Sequence, residues 1–230
     1  MIFSHPFPWR GSFMAILALL VSLGALFVVH KTVARPAETT IEVTSTDGGV
    51  GGPECRLRDA ISAANASGLV GGCDGSTGGP FIIELKQYET YRFTVVDNSE
   101  NGLPIVASNI TINGHNAHIQ RSSEASIPNF RLFQVAVTGT LSLNEVWVIN
   151  GGYVTEGGGI FNSGNALIHD SIIFNNYAEM GAGILNQEAG KLTISQSHLL
   201  YNHGGCGGAI SNNGAMTMTD TTLIANVGDI

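Results

Sequence analysis

Four polar residues recur at one place in the C-terminal half of the chain: Glu145, Asp170, Gln196 and Asp220 each close an alternating apolar segment. Paired carboxylates carry out glycoside hydrolysis, and carboxylates with a calcium ion and a basic residue serve polysaccharide lyases. If the segments are stacked strands, Asp170 and Asp220 lie two strand spacings apart, roughly 9.6 Å, with Gln196 between them. That distance is at the upper edge of an inverting pair and too wide for a retaining one. Lys191 is the only basic residue after Arg131, so no base accompanies the pair. Asp170 and Asp220 are therefore the catalytic candidates, but strand-end aspartates that accept backbone hydrogen bonds explain them with fewer requirements. His169, His198 and His203 fall on different faces by the same register and make no metal triad, so no metal or other cofactor is expected.

Of the three cysteines, Cys55 and Cys73 flank a short helical stretch and are the expected disulfide pair of an exported chain. Cys206 sits in a glycine-rich segment without an obvious mate. Metal ligation is the rival, but two cysteines without a histidine or second pair at ligand spacing are a poor zinc signature. Export is read from residues 12–29, SFMAILALLVSLGALFVV, behind Arg10 and ahead of Lys31. This is the layout of a signal peptide or of an uncleaved anchor, and both alternatives stand: Thr32-Val33-Ala34 offers a cleavage site, yet the run is long for a cleaved signal. Residues 1–35 are set apart from the fold on either reading. The formal charge is −8, and without Arg10, Lys31 and Arg35 seven basic side chains face eighteen acidic ones, a charge of −11. Phosphate backbones and anionic lipid are repelled, so nucleic acid is not a partner and membrane contact is left to residues 12–29 if retained.

The elements that must position these residues come from a repeat. GGGIFNS (157–163), GAGILNQ (181–187) and GGAISNN (207–213) share one pattern: glycine, two small residues, isoleucine, any residue, asparagine. Ile160, Ile184 and Ile210 are its fixed points, 24 and 26 residues apart. After each comes an alternating strand, ALIHD, LTISQ or MTMTD, which turns Ala166, Ile168, Leu192, Ile194, Met216 and Met218 inward. A second short strand follows and ends in Asn176, Asn202 or Asn226, making three short strands per repeat. About 25 residues in three strands cannot close a core alone, but coils stacked at about 4.8 Å bury one continuous interior. The expected fold is all-β, a right-handed single-stranded parallel β-helix of the pectin-lyase-like kind, with about six coils over residues 81–230. Glycines serve the corners, where φ is unusual and the next coil leaves little room for a Cβ. Asn162, Asn186 and Asn212, and likewise Asn176, Asn202 and Asn226, are expected to stack into ladders.

Upstream the rhythm is looser. GTLSLNEVWVIN (139–150) fits the alternating strand and its successor, with Asn150 near the ladder position. SNITINGHNAHIQ (108–120) and FRLFQVAV (130–137) read as irregular earlier coils, and residues 121–129 as an extruded polar loop. Residues 36–80 form an N-terminal capping segment: Leu57, Ala60, Ile61 and Ala64 make one apolar stripe on a helix, and TTIEVTS (39–45) is a first strand. A helix across the open end hides interior and strand edge together, leaving Arg56, Arg58 and Asp59 solvent-facing or paired at the rim.

The stretch CRLRDAISAANA (55–66) resembles the N-terminal Cys-Ser-Leu-Arg-Glu-Ala domain of bacterial exported proteins. Cys55, Leu57, Arg58, Ala60, Ile61, Ala64 and Asn65 match that pattern, with Arg56 in place of Ser and Asp59 in place of Glu. NGLPIVASNITINGHNAHI and FRLFQVAVTGTLSLNEVWVINGG are similar to the segments that follow it in such proteins. The GGAI segment at 207–210 is similar to the repeat of chlamydial polymorphic outer-membrane proteins, although the companion Phe-x-x-Asn is aliphatic here at Ile173, Leu199 and Leu223. The resemblance implies a pectin-lyase-like β-helix outside the cell or on its surface. It points to a non-catalytic protein for adhesion, envelope structure or glycan contact, with a carbohydrate-active enzyme as the alternative. The last coil is barely complete at Ile230 and lacks an evident cap, as in a fragment or a shortened product; an open edge there favours self-association.

Overall fold

Alternating apolar segments stack in register, and the register defines the walls of a parallel β-solenoid of about six turns. The computed structural model describes residues 37–49 and 52–228; the predicted leader or anchor at 12–29 and its cleavage site lie outside them. No helix among the described residues is long and apolar enough to cross a membrane.

The first wall stacks seven strands: Thr39–Glu42, Phe81–Glu84, the first half of Asn109–Arg121, the first half of Thr140–Ile149, Asn165–His169, Lys191–Ser195 and Ala215–Thr219. The second wall follows a bend and stacks Thr90–Phe93, the second halves of the two long strands, Ile172–Phe174, His198–Leu200 and Thr222–Ile224. The third wall is Val154–Glu156, Tyr177–Met180, His203–Cys206 and Val227–Gly228. The fourth is Phe133–Val135, Ile160–Asn162, Ile184–Asn186 and Ile210–Asn212. Each full turn thus has four short strands, not three. The missed one is the third wall, which sends a single small side chain inward per coil, Val154, Ala178 or Gly204, and so leaves no period-two signal.

Interior columns run the length of the stack. Ile41, Ile83, Ile112, Leu143, Ile168, Ile194 and Met218 pair in sequence across the first wall. Burying each such side chain contributes about 2 kcal/mol. Ile160, Ile184 and Ile210 line up as expected, with Phe133 ahead of them. Met216 and Met218 hold inward register but are about 40% exposed, since no described coil covers theirs.

Both asparagine ladders form. Asn162 Nδ2 donates to Asn186 Oδ1 and Asn186 Nδ2 to Asn212 Oδ1, each at 2.7 Å. Asn176 Nδ2 donates to Asn202 Oδ1 and Asn202 Nδ2 to Asn226 Oδ1, each at 2.9 Å. Asn150 is not a rung: it sits beside Asn175, whose Nδ2 donates to it at 2.8 Å, and Gly151 N–H takes the rung's place by donating to Asn176 Oδ1. The one-residue offset puts the Asn150 side chain outside the coil.

Helix Leu57–Ala66 buries the predicted stripe and shares one apolar core with the first coils. Arg58 and Asp59, expected at the solvent rim, are instead only 2% and 7% exposed. The Arg58 guanidinium donates to Val95 O and lies 5.3 Å from the centre of the Phe93 ring, and burial lowers its pKa against the opposing pull of Asp97, Asp47 and Asp59. The cap is therefore anchored by a desolvated cation as well as by its stripe. Asn65 fastens the helix's far end, donating to Ile105 O and accepting from Ala107 N–H and Ser108 N–H. Residues 121–129 form the predicted loop, held by Arg121 donating to Ile127 O and Pro128 O at 2.8 Å.

Cys55 and Cys73 are joined, closing the helix into an 18-residue loop, whereas Cys206 is free and exposed. A loop of this length limits the unfolded chain by about 3 kcal/mol. The double substitution Cys55→Ser, Cys73→Ser is expected to lower unfolding free energy by about that amount in urea titration.

Candidate functional site

The aspartates proposed from sequence stand at one corner of the coil. Glu145, Asp170, Gln196 and Asp220 all adopt left-handed backbone, with φ of 52°, 44°, 50° and 48°. The chain bends there from first wall to second. Asp170 N–H donates to Ser195 O and Gln196 N–H to Thr219 O, both at 3.2 Å, so the position is a stacked rung of corner backbone. Short polar side chains tolerate this conformation better than most. Lys191 lies five residues back along the strand from Gln196, about 16 Å away, out of reach for proton transfer. The corner thus stacks three carboxylates, Glu145, Asp170 and Asp220, with His169 next to Asp170 and Lys191 remote from them.

Just inside that corner runs a buried hydroxyl ladder. Ser171 and Ser197 are fully enclosed; Ser197 Oγ accepts from Ser171 N–H, and Ser171 Oγ from Val146 N–H, each at 3.1 Å. The signal was legible as Asp-Ser, Gln-Ser and Asp-Thr at 170–171, 196–197 and 220–221.

Two outward surfaces carry ordered rows of aromatic and polar side chains. On the third wall, Tyr177 and His203 pair across neighbouring coils with rings 5.2 Å apart and nearly parallel at 10°. Tyr153 continues this column one coil earlier, being the neighbour of Val154, which pairs with Ala178. Tyr153 is 55% and Tyr177 37% exposed, and the rings line a shallow cavity of about 170 Å³ together with Gly204, Gly205 and Val227. Tyr177 Oη donates to Asn175 Oδ1, and Tyr201 packs edge-on against Phe174 at 5.8 Å. Glu179, exposed, follows on the same outward face.

On the first wall the outward row Glu84, Asn113, Asn144, His169, Ser195 runs in register through five coils. Asn113 donates to Glu84 at 2.6 Å, Asn144 to Asn113 at 3.0 Å, and His169 Nδ1 lies 3.0 Å from Ser195 Oγ. His169, His198 and His203 occupy the first, second and third walls respectively, apart from one another as their register predicts. Among the described residues no group of three His, Cys, Asp or Glu side chains has the geometry to hold a metal ion. No family model, curated protein or solved structure matches the chain.

Proposed function

We propose that this chain is a non-catalytic β-helix of the cell surface or exterior that contacts glycan, in keeping with the exported proteins its helix segment resembles. The observation that carries the reading is the column Tyr153, Tyr177, His203. Flat rings repeat at the coil spacing, about 4.8 Å, on an exposed wall, with Gly204 and Gly205 beside them in the same strand as His203. Tyr177 and His203 cover one face of each other, so the column offers its exposed ring rims and the open Tyr153 ring to the C–H faces of sugar rings, while Asn175 and Glu179 stand beside them as acceptors for hydroxyls. The disulfide fits an oxidising compartment. The acidic balance of the chain disfavours uronic-acid polymers and favours neutral or amino sugars.

Calorimetric titration with neutral, amino and uronic oligosaccharides tests the reading. Tyr177→Ala is expected to weaken binding about tenfold, equivalent to ~1.4 kcal/mol, with the unfolding midpoint unchanged. A His203 ring resonance that none of the sugars moves, or new reducing ends released from the oligosaccharide, would sink it.

A further inference from the structure

The corner between first and second walls is closed by one residue in each of four coils: Glu145, Asp170, Gln196 or Asp220. One coil earlier it takes three. Between Asn113 and Ala117 the long strand slips out of register with Thr140–Ile149, so Gly114, His115 and Asn116 face Glu145 alone. His115 and Asn116 both sit in left-handed backbone, φ 49° and 64°, an unfavourable region for side chains with a Cβ. Turning the chain does not require the extra residues, because the later coils turn without them. Bulges of this kind re-aim side chains.

Here the bulge folds His115 back over the first wall, placing its Nε2 2.8 Å from Glu84 Oε2. The other Glu84 oxygen accepts from Asn113, whose own oxygen accepts from Asn144. Both amides therefore donate toward Glu84. A carboxylate can only accept, so His115 Nε2 carries the proton and a neutral ring keeps Nδ1 as an acceptor. Asn113, His115, Asn144 and Glu145 line a pocket of about 280 Å³. That equals roughly nine waters at ~30 Å³ each, the scale of one sugar ring. The lining residues can accept hydrogen bonds through the Asn144 side-chain oxygen, the exposed Glu145 carboxylate and, in a neutral ring, His115 Nδ1, and no Lys or Arg is among them. A shallower groove of about 210 Å³ continues from Asn144 past Ser142, His169 and Thr193.

We propose that this pocket binds one residue of a neutral or amino sugar, with His115 and Glu145 accepting from its hydroxyl or ammonium groups and Glu84 positioning the imidazole. The pocket shares a ligand class with the aromatic column but none of its residues, so the two fail separately.

Histidine ring resonances of the full chain, assigned with His115→Gln and His203→Gln, read both sites during titration with a glucosamine trimer, a cellotriose and a trigalacturonate. The expected result is a saturable His115 shift with the first two, tightest for the glucosamine trimer, and none with the uronate. Glu145→Gln should weaken the glucosamine response at least fivefold and leave the fold intact, since Gln196 occupies the equivalent corner. Tyr177→Ala should leave the His115 shift in place. A His115 signal unmoved by all three sugars, or a shift abolished by Tyr177→Ala, overturns the pocket; movement of His203 alone would do so while sparing the aromatic column.

Discussion

Replacing Asn202 with alanine is expected to destabilise the solenoid by about 3 kcal/mol, whereas the same change at Asn175 is expected to cost under about 1 kcal/mol. Both residues are asparagines at the bend between second and third walls. They differ in which way the side chain points. Asn202 is fully buried and its Oδ1 accepts from both the backbone N–H and the Nδ2 of Asn176, while its Nδ2 donates to Ile173 O and Asn226 Oδ1. Removing it takes the side-chain partner from the buried Asn176 N–H and from the Ile173 carbonyl, and one bond each from the amides of Asn176 and Asn226, which keep Val148 O and Leu199 O. Each orphaned group costs about 1–3 kcal/mol, and part of that is recovered if the site relaxes or admits water. Asn175 bonds only Asn150 and the Tyr177 hydroxyl, in reach of solvent that can replace both. Urea unfolding of the two variants, followed by far-ultraviolet circular dichroism, measures the difference. Equal losses at the two positions would mean that the ladder is not what holds successive coils together.

The ladders were legible because a stacked fold repeats its solutions. Ile160, Ile184 and Ile210 return at 24 and 26 residues, and whatever recurs beside them must occupy the same place in each coil. Repetition also exposed the corner at Asp170 and Asp220, though residue type alone could not say whether the aspartates were there for chemistry or for their left-handed backbone. What stayed hidden was whatever occurs once. The burial of Arg58 depends on Phe93 and Val95, from the end of the strand Thr90–Phe93 and just beyond it, some 35 residues downstream, and nothing within the helix announces that meeting. His115 was hidden for the same reason. Its place in the pocket depends on a register slip that becomes visible only when the strands are aligned in space. The third wall was lost to a different cause, because a strand with one inward residue as small as Ala178 or Gly204 has no hydrophobic period to detect.

Glycine repetition leads to the second large effect, at Gly183, where alanine is expected to cost about 3 kcal/mol or more. Its backbone φ is not left-handed, so the restriction is one of space. A Cβ there would sit against the Ala209 carbonyl oxygen, far inside contact distance, and 3.2 Å from Asn202 Cγ. That carbonyl accepts the Ile184 N–H at 3.0 Å, and Gly183 N–H donates to Gly208 O at 3.0 Å. Admitting the methyl group therefore separates two coils at the point where they are bonded, and overpacking against backbone has no flexible side chain to yield. Gly159 is under the same constraint from Gly183 O at 2.5 Å, whereas Ala209 holds the equivalent position where no described coil lies beyond it. Gly205 is the control. Its Cβ would meet Glu179 O at 3.0 Å and nothing else closer than 3.9 Å, so Gly205→Ala should cost under about 1 kcal/mol. Thermal and urea unfolding of Gly183→Ala and Gly205→Ala compare the two directly. A Gly183→Ala protein as stable as Gly205→Ala would show that neighbouring coils stand farther apart than one strand spacing, and the stacked interior, both asparagine ladders and the aromatic column would lose their common geometric basis.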